Sequence, residues 1–75
     1  MPRKYYRIVS VQDAVRKARI VAGFTSAELA KAVGISRPML SSIENGAGTS
    51  VKTAHKIAAA VGRSFERLFE VQDTR

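Results

Sequence analysis

Apolar residues recur along this chain at helical spacing, and each run is bracketed by a polar cap or a glycine. Val11, Val15, Ala18 and Ala22 form one such stripe, which predicts a first helix opening at Ser10, with Asp13 three residues on, and closed by Gly23. Thr25 followed by Glu28 is a capping-box pair, so a second helix starts there and ends at Gly34. Ser36 then caps a third helix, about Arg37 to Glu44. At 100° per residue, Met39, Leu40 and Ile43 fall on its core side, while Arg37, Pro38, Ser41 and Ser42 fall on the other. Asn45 to Thr49, with two glycines, is a loop. Ser50 caps a fourth helix that runs to Val61 ahead of Gly62 and buries Val51, Ala54, Ile57, Ala58 and Val61. Ser64 starts a last short helix carrying Phe65, Leu68 and Phe69.

The ends of the chain break the helical pattern. Tyr5-Tyr6-Arg7-Ile8-Val9 has aromatic and β-branched residues at four of its five positions and reads as a strand that can pair with Leu68–Gln72 as a two-stranded ribbon. A free basic arm is the competing reading. The expected organisation is therefore an arm or short strand over 1–9, a helical domain over 10–70 and a tail over 71–75.

Seventy-five residues hold one small core, and a domain of this size buries only about 60% of its unfolded surface. No apolar run approaches the roughly 20 residues of a membrane span, and no long apolar segment follows the basic N-terminus, so a soluble cytoplasmic domain is expected. With no cysteine and one histidine, neither a disulfide framework nor a metal site is expected, and no cofactor. His55 sits at the border of the fourth helix's apolar face, where a packed role suffices. The 13 Lys and Arg against 6 Asp and Glu give +7, a charge that attracts polyanions. It is spread over Arg3, Lys4, Arg7, Arg16, Lys17, Lys31, Arg37, Lys52 and Lys56.

The two short capped helices joined by the Gly34 turn make a helix-turn-helix, which points to DNA. The outward face of its second helix is small and polar apart from one arginine and one proline, so the edge of a groove can approach it. Arginine is the commonest specific reader of guanine because its fork matches O6 and N7 together. Pro38 is tolerated in the first turn, where its missing N–H has no helical partner to lose.

These residues carry a resemblance. From about Val15 to Phe69 the chain resembles the helix-turn-helix domain of the Cro and phage-repressor type. The matching residues are Arg19, Gly23-Phe24-Thr25, Glu28-Leu29-Ala30, Gly34-Ile35-Ser36, Ile43-Glu44-Asn45-Gly46 and Ala58-Ala59-Ala60-Val61-Gly62. The resemblance implies an all-α, compact five-helix, lambda-repressor-like DNA-binding domain, to which the terminal ribbon would be an addition. It places Arg37, Pro38 and Ser42 opposite bases, and Ser41 shares their face. It places Asn45, Thr49, the amides between Gly46 and Thr49, and Lys52 against the DNA backbone. Ser36 and Lys56, one turn after Lys52, complete that set. The family usually has glutamine at the position of Ser26, binding a phosphate and bracing the first reading residue; serine is too short for both tasks. Arg19 and Glu44 are implied to form an ion pair tying the first helix to the end of the third.

The function expected is a sequence-specific regulator binding double-stranded DNA, most simply a homodimeric repressor reading an inverted repeat. The alternative is an antitoxin or accessory regulator whose main partner is another protein. The absence of a nucleophile with a base argues against an enzyme, and five aromatics, mostly core-like, make no RNA-stacking platform. Phe65, Leu68, Phe69 and Val71 are the expected dimer surface, with Ile8 and Val9 joining if the strand forms.

Overall fold

The caps at Thr25, Ser36 and Ser50 form, and the chain divides into five helices framed by two strands. The computed structural model describes residues 6–73, in the order β1 (Tyr6–Ser10), α1 (Ala14–Val21), α2 (Ser26–Val33), α3 (Arg37–Glu44), α4 (Val51–Val61), α5 (Phe65–Leu68) and β2 (Phe69–Asp73). At the start of α2 the Thr25 hydroxyl accepts from the Glu28 N–H at 3.1 Å, and the Glu28 carboxylate accepts from the Thr25 N–H at 2.9 Å. Ser36 caps α3 by accepting from the Met39 N–H, and Ser50 caps α4 by accepting from the Thr53 N–H, both at 3.1 Å. Gly34, with φ of 85°, ends α2 in the left-handed conformation and returns its N–H to Ala30 and Lys31, the reversal that sets α3 across α2.

The two ends of the chain pair as an antiparallel ribbon, with Ile8 opposite Val71 and Ser10 opposite Phe69. This is the expected ribbon displaced by one residue. Ile8 and Val9 are buried, at 3% and 6% exposure, so the free-arm reading fails for residues 6–10, and Val71–Asp73 belong to β2 instead of a tail. Arg3, Lys4 and Tyr5 of the supposed arm lie outside the described residues.

The ribbon also displaces the first helix. The Val11 N–H donates to the Leu68 carbonyl at 2.8 Å, so the backbone at Val11 extends the strand pairing and α1 opens only at Ala14. Ser10 is no helix cap; its hydroxyl donates to the carbonyl of Ile43 at 3.0 Å. Of the predicted stripe, Val15 and Ala18 are buried while Val11 and Ala22 are exposed. The turn before α1 passes through Asp13, whose φ of 60° makes it the one non-glycine residue at positive φ among those described.

One core joins Ile8 to Val15, Leu29, Leu40, Ile43, Ile57, Leu68 and Phe69. Leu68 and Phe69 are each 2% exposed, which corrects their assignment to a dimer surface. The reason is the ribbon: β2 starts at Phe69 and pairing with Ser10 holds that side chain over the bundle, where its ring lies 5.6 Å from that of Phe65. Phe65 is half-buried and stacks on His55 at 4.5 Å. Only Val71 of the four stands out, at 58% exposure. Two other expected core residues also face outward, Met39 at 51% and Val51 at 39%.

Candidate nucleic-acid interface

Helix α3 is held by its buried side. Leu40 and Ile43 anchor α3 in the core, and a salt bridge fixes its last turn: Arg19 Nε donates to Glu44 Oε2 at 2.8 Å, with the two side chains only 12% and 10% exposed. A second arm of the same guanidinium donates to the Phe24 carbonyl at 3.1 Å. Arg19 thus ties α1, the entry to α2 and the end of α3 into one unit. A charge so nearly removed from water is sustained only by such a full set of partners.

With that side anchored, Arg37, Pro38, Ser41 and Ser42 are all exposed on the opposite face. Ser26, Arg37, Pro38 and Ser41 together line an open hollow of about 400 Å³ at the junction of α2 and α3. Ser26 and Arg37 are therefore neighbours across the turn. Met39 adds an exposed thioether side chain to α3 that helical phase had assigned to the core. Its position is 100° from both Leu40 and Pro38, at the boundary of the two faces, and the small core closes on Leu40 and Ile43 without it.

The flanking cations and polar groups have separate places. Asn45 ends α3 and is exposed; Lys52 and Lys56 are exposed one turn apart on α4. The Ser36 oxygen is engaged as the cap of α3, leaving its O–H as the group able to donate to an anion. Thr49 is half-buried beside β1.

The backbone amides after α3 require a correction. The N–H groups of Asn45, Gly46 and Ala47 return to carbonyls of Ser41, Ser42 and Ile43, and that of Thr49 donates to the Ile8 carbonyl at 2.9 Å. They are unavailable to a phosphate, because the loop folds back on the helix and strand β1 takes its last member. Gly48 is the one residue of this loop whose N–H has no acceptor among the described residues. Beside it lies Arg7 of strand β1, a residue the sequence gives no DNA-contacting role: a Cβ built on Gly48 would stand 3.3 Å from Arg7 Nε. The signal in the sequence was the second glycine of Gly46-Ala47-Gly48. Gly46 is needed for its φ of 99°; Gly48 has no positive φ, and a side chain there would press on the Arg7 guanidinium.

Comparison with known proteins supports this geometry. A family model described as helix-turn-helix matches residues 15–68. Among solved structures, the crystal structure of the transcriptional regulator VanUg (Form II) superposes with a TM-score of 0.66 over 97% of this chain and 95% of that one, at 18% identity. No curated protein sequence matches.

Proposed function

Because the chain belongs to the helix-turn-helix family of the Cro and phage-repressor type, we propose that it is a non-enzymatic regulator reading double-stranded DNA by sequence through α3. The observation that carries this is the division of α3 into a face locked by Leu40, Ile43 and the Arg19–Glu44 pair and a face presenting Arg37, Pro38, Ser41 and Ser42. A rigid helix with a small polar outer face fits a major groove about 12 Å wide, and the fork of Arg37 suits the paired acceptors of guanine. Ser26 and Ser36 support backbone contacts near the start of α3. Asn45, Lys52 and Lys56 support them at its end. Thr49 contributes through its side chain only, its amide being engaged by Ile8.

Eight residues of helix extend about 12 Å and cover only a few base pairs. This favours a homodimer on an inverted repeat, acting as a repressor by occupying its site. With Leu68 and Phe69 in the core, the support for self-association moves to Val71 and the outer edge of β2, which pairs with no other strand among the described residues. Selection of bound fragments from a random double-stranded pool tests the reading. It should return two inverted half-sites with centres about 34 Å apart. A single half-site would remove the dimer, and no enrichment would remove sequence-specific binding.

A further inference from the structure

We infer that Arg7 and the Gly48 amide form a further binding point for a DNA phosphodiester, built by strand β1 at the end of the reading helix. The inference rests on the DNA-binding reading above, whose family resemblance already implies loop amides against the backbone; what it adds is Arg7 as their partner and the narrowing of those amides to that of Gly48.

Three observations converge on this spot. Strand β1 is fastened to the segment that follows the reading face: the Ser10 hydroxyl donates to the Ile43 carbonyl at 3.0 Å, and the Ile8 carbonyl accepts from the Thr49 N–H at 2.9 Å. Arg7, next to Ile8, is thereby held over the loop and is not part of a loose arm. Its guanidinium lies close against Gly48, with a hypothetical Cβ there only 3.3 Å from Nε and 3.5 Å from a terminal nitrogen. That glycine keeps an ordinary backbone conformation, so the missing side chain makes room for the guanidinium.

Both groups at this point are donors with no partner among residues 7–72. Gly48 carries the one loop N–H without an internal acceptor among the described residues. Arg7 is exposed, and among residues 7–72 no carboxylate lies within salt-bridge distance of it. An arginine fork beside an amide that no described acceptor engages is suited to an oxyanion, and phosphodiester oxygens take most of the hydrogen bonds a DNA-binding domain makes. The point lies just beyond Asn45, so it extends the line of backbone contacts from α3 toward the ribbon. Such a contact fixes register along the duplex and reads no base.

The test uses the whole chain, with binding to a selected duplex and to a scrambled one measured between 50 and 200 mM salt. One phosphate contact contributes a slope of about 0.9 in log K against log salt, so the advantage of wild type over Arg7→Ala should shrink about 3.5-fold across that range on both duplexes. Arg7→Lys should restore most of the slope. Gly48→Ala keeps every charge but crowds the guanidinium, and should weaken binding to both duplexes while leaving the thermal midpoint close to wild type. An unchanged slope for Arg7→Ala, with wild type binding normally, would overturn the contact and leave the DNA reading intact. A lowered thermal midpoint with an unchanged slope would mean that Arg7 only packs against the loop. Wild type binding neither duplex would overturn the DNA reading and this contact together.

Discussion

Replacing Arg19 with alanine should bring the domain to the edge of unfolding. The Arg19–Glu44 bridge is largely shielded from water, its side chains 12% and 10% exposed, and the same guanidinium satisfies the Phe24 carbonyl. Alanine at position 19 leaves the Glu44 carboxylate without its counter-charge and Phe24 without its donor. Breaking a buried pair from one side costs about 3–5 kcal/mol. At roughly 0.05–0.15 kcal/mol per residue, a 75-residue domain has only about 4–11 kcal/mol of stability. Urea unfolding followed by circular dichroism would show this as a midpoint lowered by about 2–5 M, taking a slope near 1–1.5 kcal/mol per M for a small domain. Glu44→Ala should do the same. The double substitution Arg19→Met with Glu44→Met removes both charges at once and should be more stable than either single alanine variant, since an apolar pair in place of a buried ion pair is often neutral. Single-variant midpoints equal to wild type would refute the argument. So would a double variant destabilised by the sum of the two single effects, because groups that interact must show coupling.

Three further outcomes follow from the positions found. Phe69→Ala should lower stability by about 3–5 kcal/mol, as for other buried phenylalanines, and sedimentation should show the same oligomeric state as wild type; a folded variant altered only in association would return Phe69 to an interface. Met39→Ser should change the unfolding free energy by no more than about 0.5 kcal/mol, the range for surface substitutions, whereas a loss above about 2 kcal/mol would place the side chain in the core. Lys52→Ala should reduce the salt slope of binding by about 0.9 on any duplex, and an unchanged slope would count against a phosphate contact.

Local chemistry explains which elements were legible in the sequence. Thr25 with Glu28, Ser36, Ser50, Gly34 and Gly62 each act within one turn of their own backbone, so their roles could be read without knowing what lies opposite. The Arg19–Glu44 pair spans 25 residues and was visible only through resemblance. The misplaced residues are those whose fate depends on the ribbon. Ser10 and Val11 carry a good helix-start signal, yet Val11 bonds Leu68 and Ser10 bonds Ile43, contacts no local pattern contains. Phe69 falls on the expected dimer surface even though the ribbon itself is legible, because nothing in the pattern says which face of the ribbon closes on the bundle. The same pairing brings Arg7 to Gly48. Met39 shows the limit of helical phase: a residue at a face boundary goes where the core has room, and here Leu40 and Ile43 fill it.

The central claim is that α3 reads bases through Arg37, and one comparison tests it most directly: the affinities of wild type and Arg37→Ala for the selected site and for a scrambled duplex at one salt concentration. Loss of a guanine-reading fork should weaken binding to the selected site by about 1–3 kcal/mol, roughly 5- to 150-fold, and binding to the scrambled duplex far less. Equal loss on both duplexes would contradict the account, because Arg37 would then be contributing charge to the backbone and α3 would not be reading sequence through it.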